Sequence, residues 1–307
     1  MSPAVAQLTT RRITVGTVEL ACDVLGDPQH GVPLVLIMGI GAQRVMWDDA
    51  LCQQLVDRGF CVVRFDHRDI GESSRIDGPV PDPRRALLRR IVGARVDAPY
   101  TLSDMAGDVA GLIDALGFGS AHVVGASLGG MVGQHLAIEH PARVRSLVSI
   151  MSSPGARRYL PEPRALRALF RRPPRSAEEA GRQVEQVFRT IGSTAWPIEG
   201  ARLRAIGERA YHRGLSPRGF LRHFAAVLAS GDRRPRLRHV ELPTLVIHGS
   251  RDPMFPVSAG RDLAELMPNA TWLPIAGMGH DLPPPLWPTL VSAIARHAGR
   301  ADARSRR

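Results

Sequence analysis

His122-Val123-Val124-Gly125-Ala126-Ser127-Leu128-Gly129-Gly130 lies near the middle of the chain. An apolar run ends at Val124, a Gly-x-Ser-x-Gly turn follows, and a helical pattern begins at Leu128. A serine on so tight a strand-to-helix turn is held in a strained backbone, with its hydroxyl standing above the sheet. Gly125 and Gly129 suit such a turn because side chains there would collide where strand and helix pass closely. The helix that follows aims its first N–H groups at the same spot, where they would stabilise negative charge. Taken alone, the stretch equally suits a small-residue turn that packs a helix on a strand, so the remaining chain must decide.

Outward from this turn, the pattern is strand, helix, strand. Pro33 to Met38 is a continuous apolar run ended by Gly39-Ile40-Gly41, as expected of a strand buried on both faces. A helical pattern with Trp47, Leu51, Cys52 and Leu55 on one face leads to a second buried run, Cys61 to Phe65, and the loop Asp66-His67-Arg68-Asp69-Ile70-Gly71. Such a unit is a right-handed crossover by default. Gly39-x-Gly41 with Asp66 closing the next strand invites a dinucleotide-binding reading. Arg44 stands where that motif needs its third glycine, which argues against it.

Ile13–Val15 and Val18–Val24 read as an N-terminal hairpin around Gly16. Gly78 to Tyr100 reads as a proline-bearing loop with a short basic-apolar segment, Arg84 to Val92, and Leu102 to Leu116 as an amphipathic helix. Ser146 to Met151 is a further strand. From Ser152 to about Arg238 strand-like runs disappear, and proline-broken helical segments suggest a cap inserted after the sixth strand. The sheet resumes at Pro243 to His248 and Thr271 to Ile275, and a last helix covers about Pro284 to His297. The expected division is a core of 1–151 and 239–298, a helical cap of 152–238, and a disordered basic tail of 299–307.

Composition sets bounds on the partners. The 307 residues, 44% of them hydrophobic, suit one α/β domain with an insertion. The net charge of +11 raises nucleic acid, membrane and anionic substrates as partners. However, all 40 basic residues are arginine, with no lysine, in an alanine-rich chain. That pattern points to GC-rich coding and a solvated arginine surface, so no nucleic-acid partner is expected. Cys22, Cys52 and Cys61 lack metal or disulfide spacing and read as small buried hydrophobes in a reducing compartment. No apolar run approaches the roughly 20 residues of a bilayer span, and Met1 to Arg12 lacks a secretory h-region. A cytoplasmic location is therefore expected.

The chemistry depends on whether Ser127 has partners. Serine attacks carbonyls only when a base takes its proton, and that base works best when a carboxylate fixes its tautomer. Asp252 follows a buried strand, and His280 lies in the Gly277-Met278-Gly279-His280 loop after the next, flexible enough to swing its ring towards Ser127. This Ser, Asp, His order is the one an α/β sheet of this type supplies. The alternative acid position after Met151 holds Ser152, Ser153 and Pro154, and Asp281 adjoins His280 too closely to face it well. For an oxyanion hole, Leu128 offers one N–H and Ile40, between two glycines, the other. Trp47, Met254 and Phe255 are candidate walls of the substrate pocket, and a mostly apolar substrate is expected.

These motifs resemble the α/β-hydrolase fold over nearly the whole chain. More narrowly, Leu36-Ile37-Met38-Gly39, Asp66-His67-Arg68-Asp69, Val123 to Ser127 and Gly277 to His280 resemble the aclacinomycin methylesterase group and related actinobacterial carboxylesterases. The resemblance implies a mostly parallel sheet flanked by helices, a catalytic triad of Ser127, Asp252 and His280, an oxyanion hole of the Ile40 and Leu128 N–H groups, and no cofactor or metal. It implies an ester as the small-molecule substrate. Two departures stand out: Met38-Gly39 replaces the His-Gly of many relatives, and Asp69 replaces the glycine of the common Asp-x-Arg-Gly loop. C–C hydrolysis, perhydrolysis, thioester cleavage and non-catalytic ligand binding remain as alternatives on the same fold.

Overall fold

The computed structural model describes residues 10–305. The strands are β1 (Thr10–Val15), β2 (Val18–Leu25), β3 (Val32–Ile37), β4 (Phe60–Phe65), β5 (Ala121–Ala126), β6 (Val144–Ile150), β7 (Thr244–Gly249) and β8 (Ala270–Ile275). They form one sheet in the order β1-β2-β4-β3-β5-β6-β7-β8, with β1–β2 and β2–β4 antiparallel and the remaining pairs parallel. The helices are α1 (Asp49–Val56), α2 (Pro83–Ile91), α3 (Leu102–Ala115), α4 (Leu128–Glu139), α5 (Pro163–Leu169), α6 (Ala177–Ile191), α7 (Gly200–His212), α8 (Pro217–Ser230), α9 (Arg234–Leu237), α10 (Val257–Leu266) and α11 (Trp287–Ser305).

The apolar runs are continuous because both sheet faces are covered. Val35, Ile37, Val63, Val123 and Val246 pack with α3, α4 and α10 on one face. Their neighbours Leu34, Leu36, Val62, Val124 and Ile247 pack with α1 and α11 on the other. Alternation along each strand divides one run between two cores. The strand order reverses at β3 and β5, because β4 lies to one side and β6 to the other. A crevice opens beyond the carboxyl ends at such a switch point. The register pairs Ile37 with Gly125 and Ala126 with Ile150, so Met38–Gly41, Ser127 and Met151 leave the sheet side by side.

Between β6 and β7 lie only helices, α5 to α9. The insertion is tied to the sheet by buried polar groups at its carboxyl-terminal half. Gln43 Nε2 donates to the carbonyls of Ala210 and Gly214, at 2.8 and 3.1 Å. Arg222 on α8 donates to Asp69 Oδ1 at 3.0 Å. Asp69 has φ of 70°, a left-handed conformation that glycine adopts more readily than aspartate. Its carboxylate offsets the strain by accepting from the Ile76 N–H, the Tyr100 hydroxyl and Arg222. Asp69 thus ties the inserted helix α8 to the loop after β4. Ala226 of α8 and Leu237 of α9 belong to the main core, so the insertion's last helices pack as part of the sheet domain.

Two expectations are corrected. The basic-apolar segment placed in a loop is helix α2, started by Asp82, whose carboxylate accepts the Arg85 N–H, with Pro83 as its first residue. The tail expected to be disordered is helical to Ser305: Ala298 and Ala301 are buried, and His122 lies 3.3 Å from Asp302. The apolar period continues through the arginines, and charge alone did not end the helix. Residues 306–307 lie outside the described residues.

Candidate active site

Ser127 is the residue before α4 and has φ of 56° and ψ of −119°. The turn closes because glycines admit backbone on both sides. A Cβ on Gly125 would lie 2.2 Å from the Gly129 carbonyl oxygen, and one on Gly129 would lie 2.0 Å from that of Ile37. The Ser127 N–H donates to Ile150 at 2.9 Å, and its carbonyl accepts the Ser152 hydroxyl at 2.8 Å. This lashing holds a backbone that serine rarely adopts.

Ser127 Oγ lies 2.9 Å from His280 Nε2, and His280 Nδ1 lies 2.8 Å from Asp252 Oδ2. All three residues are buried. The other carboxylate oxygen of Asp252 accepts the N–H groups of Met254 and Phe255 at 2.7 and 3.1 Å. The acid is therefore aimed by its own turn. Asp281 does not compete for the ring: its carboxylate accepts the Ser193 N–H at 2.9 Å and the Ser193 hydroxyl, and burial raises its pKa.

The His280 loop is clamped, contrary to its expected flexibility. The His280 N–H donates to Ile191 at 2.7 Å, the Gly279 N–H to the Ser193 hydroxyl at 3.0 Å, and the Gly277 carbonyl accepts from Thr194 and Ala195. A Cβ on Gly279 would overlap the Gly192 backbone. The glycines serve close contact with the insertion, not a swinging ring. His248, which the sequence did not single out, stands behind the acid: its Nε2 lies 3.0 Å from the Phe255 carbonyl and 3.4 Å from Asp252 Oδ2. Burial lowers its pKa.

Leu128 is the first residue of α4, so its N–H has no partner within the helix. Ile40 lies in the loop after β3. Its neighbour Gly39 lies beside the serine: a Cβ there would be in ordinary van der Waals contact, 3.4 Å from Ser127 Cβ.

Above the serine lies a cavity of about 830 Å³, bounded by Met38, Ile40, Ser127 and His280 below and by α5 to α8 above. Met46, Phe170, Val187, Phe220 and Met254 give it a mainly apolar wall, with Arg202 and Gln183 among its polar groups. Of the three candidate wall residues, Met254 lines this cavity, and Trp47 and Phe255 do not. Trp47 is 1% exposed and packs into the core against α1 and α11, because the short turn Arg44–Met46 points Met46, not the indole, at the cavity. Phe255 lies behind the imidazole, its ring 5.9 Å from that of His280. Among the described residues, no group of three or more His, Cys, Asp or Glu side chains is spaced to hold a metal ion.

Residues 32–283 match the family model of the alpha/beta hydrolase fold. The chain belongs to the alpha/beta hydrolase family. It is 29% identical to the rhodomycin D methylesterase DnrP of Streptomyces peucetius, over 96% of this chain and 99% of that one. It is 31% identical to the RutD protein of Caulobacter vibrioides, which bears a carbamate hydrolase name, over 88% and 92%. Among solved structures, the enol-lactonase of Burkholderia xenovorans LB400 aligns with a TM-score of 0.72 at 21% identity, covering 94% of this chain and 99% of that one. The methylesterase and carbamate hydrolase relatives support a hydrolase on this alpha/beta hydrolase scaffold. Among its described residues no helix is long and apolar enough to cross a membrane.

Proposed function

We propose that this chain is a serine hydrolase that cleaves a carboxylic ester of a mostly apolar small molecule through an acyl-enzyme. The observation that carries the reading is the relay at the cavity floor: Ser127 Oγ at 2.9 Å from His280 Nε2, and Asp252 Oδ2 at 2.8 Å from His280 Nδ1. Asp252 holds the tautomer with the proton on Nδ1, leaving Nε2 free to accept the serine proton. Ser127 Oγ then bonds to the ester carbonyl carbon as its proton passes to Nε2. Negative charge moves to the former carbonyl oxygen, where the Ile40 and Leu128 N–H groups receive it. In other enzymes one such donor is worth about 3–4 kcal/mol. The imidazolium protonates the leaving alcohol as the C–O bond breaks. Water, deprotonated by His280, then releases the acid and returns Ser127 to its starting state.

The apolar cavity supports an apolar substrate, because it rewards burial at about 25 cal/mol per Å². The similarity to DnrP, a rhodomycin D methylesterase, supports a methyl ester as the bond cleaved. A panel of methyl esters, p-nitrophenyl esters, thioesters and carbamates tests the bond type. Hydrolysis of the oxygen esters with kcat/KM above the others is the expected result, and exclusive turnover of a carbamate or thioester would contradict it.

A further inference from the structure

We propose that two buried histidines, His67 and His223, are positioning residues that aim the Ile40 N–H at the oxyanion. The inference rests on the hydrolase reading above and adds residues that never touch the substrate.

The Ile40 N–H belongs to the Gly39–Ile40 peptide, and both adjoining peptides are held by imidazoles. His67 Nε2 lies 3.1 Å from the Met38 carbonyl oxygen, to which it donates. The Gly41 N–H donates to His223 Nδ1 at 3.3 Å. The central peptide is fixed as well, since the Gly39 carbonyl accepts the Ala42 N–H at 3.3 Å. In a trans peptide the carbonyl and the N–H point opposite ways. Tying the Gly39 oxygen to Ala42 therefore turns the Ile40 N–H away from that bond. This backbone lies beside Ser127, where a Cβ on Gly39 would be 3.8 Å from Ser127 Oγ.

The two rings are suited to opposite tasks. His223 must accept at Nδ1, which requires its proton on Nε2, and Nε2 donates to the Arg68 carbonyl at 3.0 Å. One bond thus sets the tautomer that the other needs. The rings meet edge to face with centroids 5.6 Å apart, backed by Phe65 and Tyr100. Burial holds both neutral, lowering the pKa of His67 to about 3 and that of His223 to about 4. Protonated, His223 would lose the lone pair that receives the Gly41 N–H.

His67 follows β4 and His223 lies on α8, so the oxyanion donor is built jointly by the sheet and the inserted helices. Phe220, one turn earlier on α8, closes on Gly41, where a Cβ would lie 2.7 Å from its ring. The inserted helices therefore shape the reacting centre as well as the cavity roof.

The test uses the full chain, a p-nitrophenyl ester, and the variants His223→Asn, His223→Gln and His223→Leu. An asparagine amide oxygen reaches the Nδ1 position and accepts the Gly41 N–H. A glutamine amide nitrogen reaches the Nε2 position and keeps only the bond to Arg68. The expected result is kcat near wild type for His223→Asn. For His223→Gln and His223→Leu it is kcat reduced about 10- to 100-fold with KM changed less than threefold, short of the full 10²–10³-fold loss of a donor. Affinity for a trifluoromethyl ketone should fall in step with kcat. Equal kcat for the two amide variants would overturn the proposal, as would losses that track the melting temperature across the series. If His223→Leu does not fold, the amide pair decides. Hydrolysis that survives Ser127→Ala would sink both this proposal and the reading beneath it, whereas a dead Ser127→Ala with indifferent His223 variants sinks this one alone.

Discussion

Asp252→Asn exchanges one oxygen for an NH₂ group and should nearly silence the enzyme while leaving it folded. Asp252 Oδ1 accepts two backbone N–H groups, from Met254 at 2.7 Å and Phe255 at 3.1 Å. An amide oxygen can keep both bonds, so the NH₂ group must take the Oδ2 position, 2.8 Å from His280 Nδ1. Two donors cannot face each other, and His280 shifts its proton to Nε2. That proton then points at Ser127 Oγ, 2.9 Å away, and the base is lost. A wrong-tautomer histidine costs a serine protease about 10⁴ in kcat, so we expect a fall of about 10³–10⁴ in kcat/KM, or about 4–5.5 kcal/mol. Hydrolysis of p-nitrophenyl butyrate, with thermal melting as the control for folding, measures it. Asp281→Asn should lose less than tenfold, because its partner is Ser193 and not the imidazole. Retention of more than a tenth of wild-type kcat/KM by Asp252→Asn would refute the assignment of the acid.

Gly129→Ala should lower the melting temperature by more than 10 °C or prevent folding, because its Cβ would meet the Ile37 and Met38 carbonyl oxygens at 2.0 and 2.9 Å. Differential scanning calorimetry reads this directly. Truncation after Ala298 removes buried Ala301 and the Asp302 contact with His122, so several degrees of thermal stability should be lost although ester hydrolysis persists. Acidification should destabilise the fold. Burial holds His67, His223 and His297 below the unfolded value of about 6.5, near 3, 4 and 4. Below pH 6.5 the unfolded chain therefore binds more protons, and stability falls by up to about 1.4 kcal/mol per pH unit for each ring until the folded values are passed. Asp108 and Asp281, raised by burial, oppose this weakly. A flat urea midpoint between pH 7 and 5 would contradict the sum.

The residues best legible in the sequence were those whose role is local. Pro33–Met38 and Cys61–Phe65 read as buried strands because burial on both faces removes every polar residue but Arg64, which hides against Asp23. Ser127, Asp252 and His280 read as a set because each follows a strand that ends at the same sheet edge. The cavity was less legible because its walls come from helices far apart in the chain, and Trp47 faces the core through a turn of three residues. His67 and His223 lay 156 positions apart, and nothing in either neighbourhood announces that the two rings meet. The helical end of the chain was hidden for a different reason. Its alanines at 298 and 301 continue an apolar face too small to stand out among arginines.

In the proposed reaction Ser127 attacks an acyl carbon with His280 as its base. Labelling the folded protein with a fluorophosphonate and locating the adduct by peptide mass spectrometry puts this attack to the test. One equivalent of label is expected on the peptide containing Ser127, and none when His280→Ala or Ser127→Ala is treated for the same time. Labelling elsewhere, or an unlabelled Ser127 in a protein that still hydrolyses esters, would contradict it.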